Sequence, residues 1–269
     1  MTLGRSCLWA ATVCWVFSAL MAGCVLPPPV SADTKDRVTD SDETDISKRS
    51  RNRMELASAY FSRGQYTIAL DEVKKALAAD PNMGDAYNLR GLIYASLGDD
   101  VLAQESFRRA LQISPNDGDS MHNYGWYLCQ RKQYDAAEVL FRRAIALPQY
   151  LGTARTLLTT GVCEARAGRW AEAEATLTKA YELDPSNPAA AVNLSEVLLR
   201  RGEPERARFY IRRVNSVANQ SNAQTLWLAA RIEMKLGNRT AANEFGLQLR
   251  NRFPQSRESA AFDRGQFDE

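Results

Sequence analysis

One pattern recurs six times between Arg51 and Pro254 with a period of 34 residues, and this period constrains the fold more than any other feature of the chain. Small residues, tyrosine, phenylalanine and proline return at fixed offsets within it. The second period has them at Gly91, Tyr94, Gly98, Ala103, Phe107, Ala110 and Pro115. Such a repeat predicts a solenoid, because each unit is too small to bury its apolar face alone and must stack on its neighbours.

Each unit is predicted to be a pair of helices. In the first unit, apolar residues recur at helical spacing on both sides of Gly64, which ends the first helix. Pro81 then stops the second helix, because proline cannot continue one. The pattern resembles the tetratricopeptide repeat. This resemblance implies an all-α, right-handed superhelical solenoid of about six repeats over residues 50–255.

Six copies of the unit can be placed along the chain. They begin at residues 50, 84, 118, 154, 188 and 223, and two residues, Gly152 and Thr153, are inserted before the fourth. The fifth copy has Ser195 in place of the glycine that lets paired helices approach. The sixth is the least regular, as expected where a solenoid must be capped against water. Residues 256–269 follow it as a C-terminal tail.

Residues 1–23 are predicted to be a signal peptide. Arg5 precedes an apolar run of about 17 residues, at the lower edge of what crosses a bilayer core of roughly 30 Å, so a spanning anchor is the alternative. Residues 20–24, Leu-Met-Ala-Gly-Cys, resemble a bacterial lipobox. The resemblance implies that Cys24 becomes the lipid-bearing N-terminus. By analogy with lipoprotein sorting, Val25 after it favours the periplasmic face of the outer membrane.

Residues 24–49 are predicted to comprise this lipidated cysteine and a disordered tether. The stretch after Cys24 contains three consecutive prolines, six acidic and four basic residues, and no aromatic residue. Such a composition cannot bury enough apolar surface to offset the entropy of ordering the chain. A flexible segment of this length reaches about 25 to 30 Å, so the repeats would move beneath the membrane.

Two further cysteines remain in the predicted mature chain. Cys129 and Cys163 lie 34 residues apart on the first helices of the third and fourth units, so stacking brings their backbones to neighbouring positions. An oxidising periplasm permits a disulfide between them. In the alternative, they are two small buried side chains whose Cα atoms miss the required separation of about 4.4 to 6.8 Å.

Catalysis and nucleic-acid binding find little support. The only histidine is His122, and we interpret it as a polar residue on the groove face in preference to a metal ligand. No enzyme activity, metal site or cofactor is therefore expected. The 34 basic and 32 acidic residues nearly balance, so no nucleic-acid partner is expected. Arginine pairs such as Arg108-Arg109 and Arg200-Arg201 are assigned to solvated faces.

The concave wall of this repeat class is lined mainly by first helices. Side chains there that stacking does not require include Met54, Phe61, Leu92 and Trp126, and we expect them to form an exposed apolar strip that binds a partner. In the alternative, Phe61 and Trp126 fold back into the stack. Met54 and Ser58 stand where receptors for acidic C-terminal peptides have Lys and Asn, which disfavours a cytosolic chaperone-tail receptor.

Two stretches carry a closer resemblance. His122–Ile145 and Asn243–Phe262 are similar to the corresponding segments of the type IV pilus biogenesis and stability lipoproteins, the PilF/PilW family, also called pilotins. Residues 245–256 weigh most, because the general repeat pattern does not explain them. The lipobox, the tether, the six repeats and the total length agree as well.

The resemblance implies a lipid-anchored protein of the outer membrane that assists localisation and multimerisation of the type IV pilus secretin. Its partners would be secretin subunits, held in the repeat groove, and the outer membrane, reached through acyl chains on Cys24. The alternative is a generic periplasmic tetratricopeptide-repeat scaffold for cell-envelope assembly.

Overall fold

The structure is a computed structural model that describes residues 44–267, and within this range the chain forms thirteen α-helices and no strand. The first helices of six consecutive pairs are α1 (Asp45–Ser62), α3 (Gly84–Leu97), α5 (Gly118–Gln130), α7 (Thr153–Arg166), α9 (Pro188–Arg200) and α11 (Ala223–Lys235). Their partners are α2 (Tyr66–Ala79), α4 (Asp100–Ile113), α6 (Tyr134–Ile145), α8 (Trp170–Leu183), α10 (Pro204–Asn215) and α12 (Arg239–Arg252), and α13 (Arg257–Asp263) follows. The predicted all-α repeat fold is confirmed.

Close approach of the paired helices depends on the small residue that recurs on each first helix. A Cβ atom added to Gly91 would lie 2.7 Å from the ring of Phe107, and one added to Gly125 would lie 2.7 Å from Phe141. Both rings are buried, so no space remains for a side chain at either glycine. In the fifth repeat the hydroxyl of Ser195 donates a hydrogen bond to the carbonyl of Ala207, 2.8 Å away, which accounts for the polar substitution.

The row of repeats curves with its first helices on the inside. The backbones of neighbouring first helices approach one another closely along the whole row, whereas among the described residues no two neighbouring second helices bring their backbones as close. A row whose members lie closer together on one side than on the other must bend toward the closer side. The first helices therefore line the inner face, and the second helices form the outer face.

The core is a series of apolar clusters that bridge successive repeats. One cluster joins repeats 1 and 2, a second extends from repeat 2 to Cys163 in repeat 4, and a third joins repeats 4 to 6. In the last repeat, Phe262 of α13 packs against Leu226, Ala230 and Leu249. The predicted C-terminal tail thus contributes a short helix that closes the apolar end of the row.

The first helix begins earlier than predicted. The side chain of Thr44 accepts a hydrogen bond from the backbone N–H of Ser47 at 3.1 Å and caps α1, which starts at Asp45. The tether prediction is therefore wrong for residues 45–49, because their charged composition conceals a capped helix start. The signal peptide, Cys24 and the rest of the tether lie outside the described residues.

Candidate functional site

The four predicted partner-binding residues all lie on first helices. Met54 and Phe61 belong to α1, Leu92 to α3 and Trp126 to α5. Each side chain is partly buried and packs against the core of its own region. They form a row of apolar side chains, each with one side against the core and the other accessible. The sequence predicts a fully exposed strip, and the structure shows a partly exposed one. Their role in partner binding stays a prediction.

Phe61 and Trp126 are predicted either to be exposed in the groove or to fold back into the stack, and the structure shows a position between the two. The ring of Phe61 lies 5.6 Å, centroid to centroid, from the ring of Tyr66 at the start of the second helix. The guanidinium of Arg166, from the first helix of the fourth repeat, lies 4.7 Å from the centre of the Trp126 ring. Each aromatic side chain is supported by a neighbour and still has accessible surface.

The inner face changes its chemistry along the row. Its first three repeats carry the apolar row just described, and its last three carry Arg166, Arg200, Arg231 and Lys235 on α7, α9 and α11. The pattern of arginine pairs assigns Arg200 to a solvated face and does not predict a cationic inner surface. The sequence does contain a sign of that surface, because Arg166 and Arg200 are one period apart on successive first helices.

Repeats 3 and 4 are joined covalently. The structure links Cys129 on α5 and Cys163 on α7 by a disulfide, with Cα atoms 5.9 Å apart. This separation lies within the range that a disulfide requires, and both side chains are buried. Stacking of successive repeats thus brings together two residues that lie 34 positions apart in sequence.

His122 does not lie on the groove face as a solvated polar residue. It is 8% exposed, and its Nδ1 lies 2.9 Å from the hydroxyl of Thr156 in the next repeat. The same hydroxyl lies 2.9 Å from the phenol of Tyr150. Burial and the nearby charge of Arg155 lower the pKa of His122, Asp119 opposes both, and the net result is a pKa of about 4. The imidazole is therefore neutral near pH 7 and belongs to the joint between repeats 3 and 4.

Tyr150 explains the insertion before the fourth repeat. A Cβ atom on Gly118 or on Gly152 would lie 2.5 Å from the Tyr150 side chain, so the ring fits only between two glycines. Asp119 and Arg155 form an ion pair beside the same ring. The extra residues give the loop enough length to place Tyr150 in the joint.

Among residues 44–267, no group of three or more His, Cys, Asp or Glu side chains is arranged to hold a metal ion. The helices within this part of the chain are too short or too polar to cross a membrane. Cys24, the predicted lipidation site, is outside the described residues.

Comparisons with known proteins agree with this architecture. Tetratricopeptide-repeat families match residues 54–118, 106–139 and 164–227. PilW, a widely conserved type IV pilus biogenesis factor, is 32% identical over 82% of this chain and 99% of PilW, with a TM-score of 0.75. PilF of Pseudomonas aeruginosa is 25% identical over 82% of this chain and 100% of PilF, with a TM-score of 0.72.

A more distant solved structure, the Cut9–Hcn1 hetero-tetramer of the APC/C, shares the fold alone. It is 14% identical, with a TM-score of 0.66 over 82% of this chain and 43% of that one. By sequence alone, no curated protein matches this chain.

Proposed function

Because this chain belongs to the family of tetratricopeptide-repeat type IV pilus biogenesis factors that includes PilW and PilF, we propose that it is a pilotin. In this role it assists localisation of the pilus secretin to the outer membrane and its multimerisation there. The observation that carries the proposal is the 32% identity to PilW across 99% of that protein. Similarity over a whole chain of repeats is more specific than similarity of single repeats, which many scaffolds share.

The apolar row of repeats 1 to 3 supports a binding role without turnover. Met54, Phe61, Leu92 and Trp126 are held in place by the core, so a partner meets a preformed surface and pays little entropy to order it. Burial of a large apolar side chain against a partner contributes up to about 1.5 to 3 kcal/mol. Such a surface can hold an apolar segment of an unassembled secretin subunit until it joins the ring.

The proposed membrane anchor is a set of acyl chains on Cys24. The lipobox motif at residues 20–24 supports it, and each buried methylene contributes about 0.8 kcal/mol to membrane binding. Anchoring would place the protein at the periplasmic face of the outer membrane, where secretin assembles. Intact-mass analysis of the mature protein checks this, since an unmodified N-terminus at any residue would contradict it.

Phe61→Ser tests the binding surface. The substitution removes the accessible ring on α1 and should strongly reduce secretin multimers on gels, while thermal melts followed by circular dichroism show a folded domain. Phe209→Ser is the matched control, because Phe209 is 63% exposed on the outer face and the same chemistry is removed there. Its secretin multimers should equal those of the wild type.

Two outcomes would overturn the proposal. The first is normal secretin assembly by a folded Phe61→Ser variant together with a folded Met54→Ser variant, which removes a second member of the row. The second is a pull-down of the native protein that contains other envelope proteins and no secretin. That result would favour the general periplasmic scaffold.

A further inference from the structure

The end of the described chain lies on the inner face of the last repeat. The ring of Phe267 is 5.2 Å from that of Trp227 and 5.5 Å from that of Phe262, measured between centroids. The Nε of Arg231 donates a hydrogen bond to the backbone carbonyl of Phe267 at 3.4 Å. Arg231 is 9% exposed, so this segment covers a charged side chain of the inner face.

The inner face of repeats 4 to 6 carries more positive than negative charge. Glu196 accepts from Arg200 Nε at 3.2 Å and from Arg231 Nη1 at 3.1 Å, so one carboxylate serves two guanidinium groups. Arg166 lies over an aromatic ring, and Lys235 forms no ion pair within residues 44–267. Within the described part of the chain, this surface thus has four cations and one carboxylate, which pairs with two of them, and an acidic ligand would complete the pairing.

Two cavities on this surface meet at Arg200. One, of about 380 Å³, lies between α7 and α9 and has Val162 and Val197 in its wall. The other, of about 350 Å³, lies between α9 and α11, with Met234 in its wall and Phe267 at its edge. Among residues 44–267, Glu196 is the only acidic residue that lines either cavity. Apolar walls with a cationic rim suit a ligand that combines an aromatic ring with carboxylates.

We infer that the inner face of repeats 4 to 6 is a second binding site, for a partner segment that carries an aromatic residue next to acidic residues. The chain's own residues 265–269, Gly-Gln-Phe-Asp-Glu, have this composition, and Phe267 already occupies one end of the surface. Phe267 thereby acts as an intramolecular competitor that a partner must displace. The inference does not depend on secretin being the partner of repeats 1 to 3.

Binding of a synthetic peptide to the full mature chain tests the inference. The probe is a fluorescent decapeptide with two copies of Gly-Gln-Phe-Asp-Glu. Phe267→Ala frees the surface, and we expect its Kd for the probe to be at least about fivefold lower than that of the wild type, because a tethered competitor has a high effective concentration. A probe with alanine in place of both phenylalanines should bind at least about fivefold more weakly.

Charge reversal provides the second arm. In the Phe267→Ala background, Arg200→Glu should weaken probe binding about tenfold, because it reverses a cation at the point where both cavities meet. Lys179→Glu is the matched control, since it makes the same net charge change on the outer face of α8. Its Kd should stay within about twofold, with the difference that remains reflecting long-range charge.

Three results would overturn the inference. Equal affinity of the wild type and Phe267→Ala would show that Phe267 does not compete with the probe. Equal weakening by Arg200→Glu and Lys179→Glu would show unspecific charge attraction, as would equal binding of the alanine probe. Phe61→Ser should leave probe binding unchanged, so a failure here is distinguishable from a failure of the secretin proposal.

Discussion

The joint between repeats 3 and 4 differs from the joint between repeats 1 and 2. Repeats 1 and 2 are held by an apolar cluster that includes Val73, Leu89 and Ile93. Repeats 3 and 4 share an apolar cluster too, and in addition a disulfide and a buried His122–Thr156 hydrogen bond. Apolar packing specifies that two repeats stack. Covalent and directional bonds also specify how they are oriented.

This difference coincides with the change in chemistry along the inner face. The fastened joint lies between the apolar row of repeats 1 to 3 and the cationic surface of repeats 4 to 6. Because repeats contact mainly their neighbours, the geometry between two halves of a row depends on the joint between them. A stiff central joint would keep two binding surfaces at a fixed separation.

Removal of the Cys129–Cys163 disulfide should reduce the difference between the two joints more than any other change. Reduction of Cys129–Cys163 opens a loop of 34 residues, for which chain entropy predicts a loss of about 3 to 4 kcal/mol in the free energy of unfolding. Urea unfolding with and without a reducing agent measures it. The Cys129→Ala, Cys163→Ala double variant should show no response to the reducing agent.

The oxidised state itself is checked on freshly isolated native protein. Alkylation followed by intact-mass analysis should find no free thiol in the folded domain. Two readily alkylated cysteines, or equal stability in both redox states, would mean that the central joint is no more strongly fastened than the first.

Acidification should weaken the same joint by a smaller amount. The folded-state pKa of His122 is about 4 and its ordinary value is 6.5, so the unfolded chain binds the proton first. Stability from this group is complete above pH 6.5 and is lost as pH falls toward 4. Between pH 7 and pH 4.5 the loss should be about 1 to 2.5 kcal/mol.

Comparison of the pH dependence of unfolding for the wild type and a His122→Asn variant separates the effect of His122 from the titration of carboxylates. His122→Asn keeps a polar group near Thr156 and does not titrate, so its free energy of unfolding should decline less steeply over the same range. Parallel pH profiles for the two chains would contradict the assignment of His122 to a neutral buried state.

The smallest predicted effect lies in the loop of the third repeat. Lys132 has φ of 61°, where the other five repeats have a glycine with φ near 70° to 80°. A side chain in this left-handed conformation costs about 1 to 2 kcal/mol, offset in part by the greater freedom of glycine in the unfolded chain. Lys132→Gly should therefore raise the free energy of unfolding by about 0.5 kcal/mol.

The reciprocal change provides the control. Gly98→Lys should destabilise the domain by about 1 kcal/mol, because it forces a side chain into the same conformation. A neutral or stabilising result for that variant would show that the loops of repeats 2 and 3 respond differently, and that the strain at Lys132 is absorbed elsewhere.

Much of the fold could be predicted because the same pattern of apolar, small and helix-ending residues recurs six times. The period placed the helix pairs, and the recurring small residue identified the close contacts of Gly91 and Gly125. The family assignment rests on one central stretch, His122–Ile145, and one C-terminal stretch, Asn243–Phe262, and the similarity to PilW confirms it. The predicted groove residues lie on first helices, where contacts with the core and with Tyr66 and Arg166 leave them only partly exposed, and their role in binding stays a prediction.

Sequence by itself determined the architecture, because a period of 34 residues leaves one way for each unit to bury its apolar face. Tertiary structure decided the features in which individual repeats differ from the common pattern. The burial of His122 against Thr156, the packing of Tyr150 between two glycines and the return of Phe267 to the inner face each depend on particular side chains that the repeat pattern does not specify. Only folding reveals which side chains such contacts bury, and hence which charges remain available to a partner.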